Sequence, residues 1–151
     1  MQKLIYTPEP VVELHPNQIF VYGSNTAGIH GAGAAKHALK WGAKFGQDGF
    51  NGWTYGISTK DNKLRVLPLD AIKQHVTTFF IYAERHPQYE FLVTKIGTGL
   101  AGYKVQDIAP LFFPQEYTGL QNIVLPKEFW DWRREIPVEF RDWNNSGLSE
   151  W

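Results

Sequence analysis

The sequence predicts an α/β fold, a mixed and mostly parallel sheet with helices on both faces. Three observations predict it. Short apolar runs of strand length alternate with stretches of helical periodicity. The connections between them are short, as expected of strands joined by crossover helices. Two glycine-rich loops, at 23–33 and 97–102, each follow such a strand, and the carboxyl ends of strands are where α/β sheets hold ligands.

Taken in order, Leu4 to Tyr6 reads as an edge strand ended by Pro8 and Pro10. Ile19 to Tyr22 is a buried strand, apolar on both faces. Ala34, Ala38, Trp41 and Phe45 recur at helical spacing, with Lys36, Lys40 and Lys44 on a solvated face. Gly42, Gly46, Gly49, Gly52 and Gly56 break up the next segment, which reads as a loop until the strand Trp53 to Thr59. Pro68 marks the first turn of a long helix whose buried stripe is Leu69, Ile72, Val76, Phe79, Phe80 and Ala83, stopped by His86 and Pro87. Phe91 to Thr94 is a third strand and Val105 to Phe112 a short helix, with Pro110 tolerated early in it. Asn122 to Leu125 is the last strand. From Lys127 a Trp-rich helix and tail, with Trp130, Trp132, Trp143 and Trp151, packs on the body.

Composition narrows the function classes. A chain of 151 residues is read as one domain, 1–151, with its core at about 19–126 and an extension at 127–151. Fifteen Lys and Arg balance fifteen Asp and Glu, so no general nucleic-acid-binding surface is expected. Cysteine is absent, which excludes disulfides, a thiol nucleophile and thiolate metal sites. Five histidines without metal-ligand spacing predict no metal, and no cofactor is expected. No long apolar run occurs, so the chain is expected to be cytoplasmic, with no membrane partner.

The loop after Tyr22 carries Gly23, Gly28, Gly31 and Gly33 within eleven positions. Such density suits backbone that takes φ > 0 or lies close to a ligand. A helix opening on Gly31, Ala32, Gly33, Ala34 and Ala35 points its unpaired N–H groups back at that loop, which favours an anion. Neither the Gly-x-Gly-x-x-Gly nor the Walker spacing is present.

Three features carry a family resemblance: Gly23, Ser24 and Asn25 followed by His30, Gly31, Ala32 and Gly33; Ile57 to Lys60; and Lys95, Ile96, Gly97, Thr98, Gly99, Leu100, Ala101, Gly102 and Tyr103. In this order they resemble the macro domain, the ADP-ribose-binding family, over about residues 19–126. The likeness is greatest to the branch of terminal ADP-ribose glycohydrolases and antitoxins that reverse DNA ADP-ribosylation, and to small phage and bacterial macro-like proteins. The resemblance implies a three-layer sandwich that binds ADP-ribose or a related nucleotide, free or on an ADP-ribosylated macromolecule. It implies that Asn25 bonds the distal ribose and that the N–H groups of Gly31 to Gly33 and Gly97 to Leu100 cradle the diphosphate. Lys60 matches the lysine that attacks the anomeric carbon, which requires a neutral amine. Where the branch places its general acid/base, this chain has Ala101.

Each candidate also has a plainer reading. Asp61 can replace the missing carboxylate or serve as an Asx-turn residue. Asp107 can reach the site or cap the helix that follows. His30 can touch a phosphate or sit in a turn, and Lys60 can be a charge companion without covalent chemistry. Tyr103, Phe129 and Trp130 can stack on the ligand or pack in the core. The functional readings are therefore an ADP-ribosyl hydrolase, a non-catalytic nucleotide reader or sponge, and, below them, a lysine-decarboxylase-like nucleotide-processing enzyme. That last class relies on an Arg and Glu pair absent near Gly97 to Tyr103.

Overall fold

The computed structural model describes residues 4–27, 33–44 and 49–136. Its sheet has five strands in the order β2-β3-β1-β4-β5. These are β1 (Gln18–Asn25), β2 (Gly49–Asn51), β3 (Thr54–Lys60), β4 (Glu90–Val93) and β5 (Ile123–Val124). β1 pairs in parallel with β3 and β4, and β4 with β5; only β2, against β3, is antiparallel. The helices are α1 (Gly33–Ala38), α2 (Leu69–Arg85), α3 (Val105–Ile108) and α4 (Lys127–Glu135), with 3-10 turns at Leu39–Trp41, Ala109–Phe112 and Gln115–Tyr117. The expected α/β class with a mixed, mostly parallel sheet is therefore present.

Alternation along β1 builds two cores. Ile19 and Val21 join Ile72, Val76 and Phe79 of α2, together with Ile108, Phe112 and Phe129. Phe20 and Tyr22, pointing the other way, join Ala35 and Ala38 of α1 and Val11. This is why the run reads as continuously apolar rather than alternating. In α2 the buried positions Ile72, Val76, Phe79, Phe80 and Ala83 follow the helical repeat. Pro68 precedes the helix as its extended N-cap, one position earlier than expected, and Asp70 lies in the first turn, where the dipole favours a carboxylate.

Four local expectations need correction. Leu4 to Tyr6 forms no strand; the segment meets the sheet through Thr7, whose N–H and Oγ1 donate to Leu125 O and Val124 O, each at 3.0 Å. The glycine-rich stretch read as a loop contains β2, a strand too short to show a period of two. The helix expected from Ala34 to Phe45 ends at Trp41, because Gly42 takes a left-handed φ of 103°; Phe45 lies outside the described residues. Asp107 is not the N-cap of α3. Lys104 holds that place, and Asp107 reaches back to accept its N–H at 3.0 Å.

Topology fixes where a ligand can enter. β1 and β4 are parallel neighbours, yet the chain leaves β1 towards β3 on one side and leaves β4 towards β5 on the other. Connections that diverge from adjacent parallel strands leave a crevice at their carboxyl ends.

Candidate functional site

A cleft of about 420 Å³ occupies that crevice. Its lining comes from the end of β1 (Gly23, Ser24, Asn25), the start of α1 (Gly33, Ala34, Ala35), the end of β3 (Thr59, Lys60) and the loop after β4 (Thr94 to Gly97, Gly99 to Ala101). Such a volume lies in the range of small-molecule sites. The register between β1 and β3 slips by one residue after Ser24, so that Asn25 faces Lys60. An irregularity of this kind re-aims side chains at a strand end. It brings Asn25, which is buried, and Lys60, which is half-buried, to one rim.

The loop after β4 is a tight turn built around Gly97. Its φ of +78° is left-handed, and a Cβ there would stand 2.8 Å from Cδ1 of the buried Ile108. Thr98 N–H and Oγ1 both donate to Lys95 O, Gly102 N–H to Gly99 O, and Tyr103 N–H to Gly97 O. The N–H groups of Gly97, Gly99, Leu100 and Ala101 find no acceptor among the described residues. Across the cleft, Gly33 takes φ +60°, and a Cβ on it would lie 3.6 Å from Cδ1 of Leu100. The Leu100 side chain, 71% exposed, therefore reaches from the turn after β4 to the start of α1. Because α1 has only six residues, its dipole is short.

The remaining sequence candidates fall as follows. His30, Gly31 and Ala32 lie outside the described residues. Thr98 lines a second cavity rather than this one. Tyr103 is not on the cleft wall; its hydroxyl donates to Leu67 O at 2.6 Å, and Gly102 is likewise off the lining. Phe129 is fully buried, and Trp130 packs edge-on against Phe113. Asp61 is committed to its own turn. Its Oδ1 accepts from the N–H groups of Lys63 and Arg65, and its Oδ2 from Arg65 Nε at 2.8 Å. These bonds, led by the Arg65 N–H, hold the Asp61 carboxyl below the usual carboxylate range. Asp61 does not line the cleft, whereas its neighbour Lys60 does. Among the described residues Lys60 makes no ion pair and no cluster of His, Asp and Glu could hold a metal ion.

Sequence reasoning missed the second cavity and the group that divides it from the first. The cavity, about 430 Å³, lies beside the cleft and shares Gly33, Ala34, Thr94, Lys95 and Gly99 with it. Pro8, Glu9, Pro10 and Val11 form one wall, and Phe20 and His37 another. His37 is held in place by Nε2 against Val11 O at 2.9 Å. Lys95 Nζ meets Glu9 Oε1 at 2.6 Å and Glu128 Oε2 at 3.5 Å. The Glu9 bond raises the Lys95 amine above its ordinary value. Lys95 was visible as the cation beside the second glycine turn; no local pattern announces Glu9, which lies in an aperiodic segment.

Fold and cleft together define an α/β domain with a ligand-sized crevice at its strand ends. No protein-family model, curated protein or solved structure matches the chain. Among the described residues no helix is long and apolar enough to cross a membrane.

Proposed function

We propose that this chain is a macro-like domain, a three-layer sandwich that binds ADP-ribose or a related NAD-derived nucleotide diphosphate, free or carried by a modified macromolecule. One observation carries the reading: the start of α1 at Gly33 and the turn after β4 line one cleft, and the N–H groups of Gly97, Gly99, Leu100 and Ala101 lack acceptors among the described residues. A diphosphate supplies those acceptors, and Lys60 on the lining supplies countercharge. Calorimetric titration with ADP-ribose is the test. Saturable heat with a raised melting temperature is expected; no heat and no thermal shift at millimolar ligand overturns the reading.

Two layers compete within it. In the catalytic one, Lys60 Nζ attacks the anomeric carbon of the distal ribose, the bond to the leaving group breaks, and water later releases the adduct. That step needs a proton donor for the leaving group. Asp61 is tied to Arg65 and lies off the lining, so the proton would have to come from the substrate or solvent. This favours the second layer, a non-catalytic reader in which Lys60 is a charge partner. Borohydride trapping separates them: a reducible adduct on Lys60, lost in Lys60→Ala together with turnover, supports the hydrolase. Tight binding without product after long incubation supports the reader.

A further inference from the structure

We propose that Lys95 is the cation that receives the ligand's phosphate charge, and that Glu9 and Glu128 occupy it as placeholders until the ligand arrives. This rests on the diphosphate reading of the cleft and adds a residue to it that neither the glycine turns nor Lys60 supplies.

The placement is specific. Lys95 stands two residues beyond the end of β4 and borders both cavities, whereas Lys60 lines only the first. Its amine joins three separate segments, with Glu9 coming from the stretch before β1 and Glu128 from the first turn of α4. The side chains are 36% exposed for Lys95, 56% for Glu9 and 41% for Glu128. Ion pairs so open to water contribute little to stability, so exchanging one anion for another on Lys95 carries a small penalty. An ammonium has three donors, and with Glu9 at 2.6 Å and Glu128 at 3.5 Å at least one is left to turn into the cleft. The two carboxylates also repel an incoming anion while they remain nearby. Arrival of a diphosphate strengthens the site by charge-assisted bonding to Lys95 and works against the acids that hold it.

The two roles of the trio, ligand site and mere staple, give opposite signs. Isothermal titration of the full chain with ADP-ribose, and separately with inorganic pyrophosphate, is run on wild type, Lys95→Gln, Lys95→Arg, Glu9→Gln and Glu128→Gln. Lys95→Gln is expected to weaken both ligands by about tenfold or more. Lys95→Arg keeps the charge and retains most of the affinity. Glu9→Gln is expected to tighten binding by roughly threefold or more, and Glu128→Gln by less, because its contact is longer. Unchanged affinity in Lys95→Gln overturns the proposal while leaving the nucleotide reading intact. Weaker binding in Glu9→Gln, parallel to Lys95→Gln, also overturns it, since the pair would then be a staple. If wild type binds neither ligand, the nucleotide reading and this proposal fall together. Should Lys95→Gln melt well below wild type, the sign of the Glu9→Gln change decides alone.

Discussion

Gly97 and Gly99 sit two residues apart in one turn, yet their hydrogens do different work. At Gly97 the backbone is left-handed, and an added methyl would collide with Ile108 Cδ1 at 2.8 Å. Gly97→Ala is therefore expected to destabilise the domain by about 1–3 kcal/mol, read by urea unfolding, and to weaken binding as the turn shifts. Gly99 has no left-handed φ, and nothing lies within 4 Å of the position a Cβ would take. Gly99→Ala should leave the unfolding midpoint within error while placing a methyl in the cleft and lowering affinity for ADP-ribose. If both variants lose only stability, the turn is a packing device and not a cradle. Asp61 gives a third residue-scale expectation. Its folded-state carboxyl titrates below the ordinary value, so its contribution to stability is present above the unfolded pKa of about 3.9 and disappears as pH falls through the lower folded value. Asp61→Asn should thus lower the melting temperature at neutral pH, and the gap to wild type should close in strong acid. It should not alter ligand affinity, because the carboxylate faces Arg65 rather than the cleft.

At the scale of elements, what the sequence revealed followed from length and periodicity. α2 has seventeen residues with a regular apolar stripe, and β1, β3 and β4 are dense in β-branched and aromatic side chains, so each was readable locally. β2 was not, because three residues beginning with a glycine carry no pattern and become a strand only by pairing with β3. The start of the chain failed in the opposite way. Leu4 and Ile5 look like strand residues, but Ile5 is 76% exposed, Leu4 packs only by its side chain, and it is Thr7 that hydrogen-bonds to the last strand. The best-anchored element offers the clearest stability test. Phe79 is fully buried and meets Tyr55, Phe80 and Phe91 edge to face. Phe79→Ala should cost about 3–5 kcal/mol by chemical denaturation, as a cavity opens between α2 and the sheet. An exposed position on the same helix, such as Thr77→Ala, should change stability by less than about 0.5 kcal/mol.

At the scale of the molecule, the site is a consequence of chain routing. The turn after β4 could be found in the sequence because it is local, and its place beside the ends of β1 and β3 could be expected because these strands are parallel. The trio Glu9, Lys95 and Glu128 could not, since its members are joined only when the segment before β1, the loop after β4 and α4 converge. That convergence has a measurable consequence for the whole fold. A ligand in the cleft touches the ends of β1, β3 and β4 and the start of α1 together, so it binds the folded chain and has no comparable site in the unfolded one. At a hundred times its dissociation constant such a ligand adds about 2.7 kcal/mol of stability. For a domain of this size the melting temperature should then rise by roughly 5–10 °C. Lys60→Ala should keep most of that rise if Lys60 is a rim charge or a nucleophile, because the open N–H groups of the turn after β4 remain. Gly97→Ala should lose most of it. A rise that survives Gly97→Ala but vanishes in Lys60→Ala would move the site of binding off the glycine turns and onto the rim of β3.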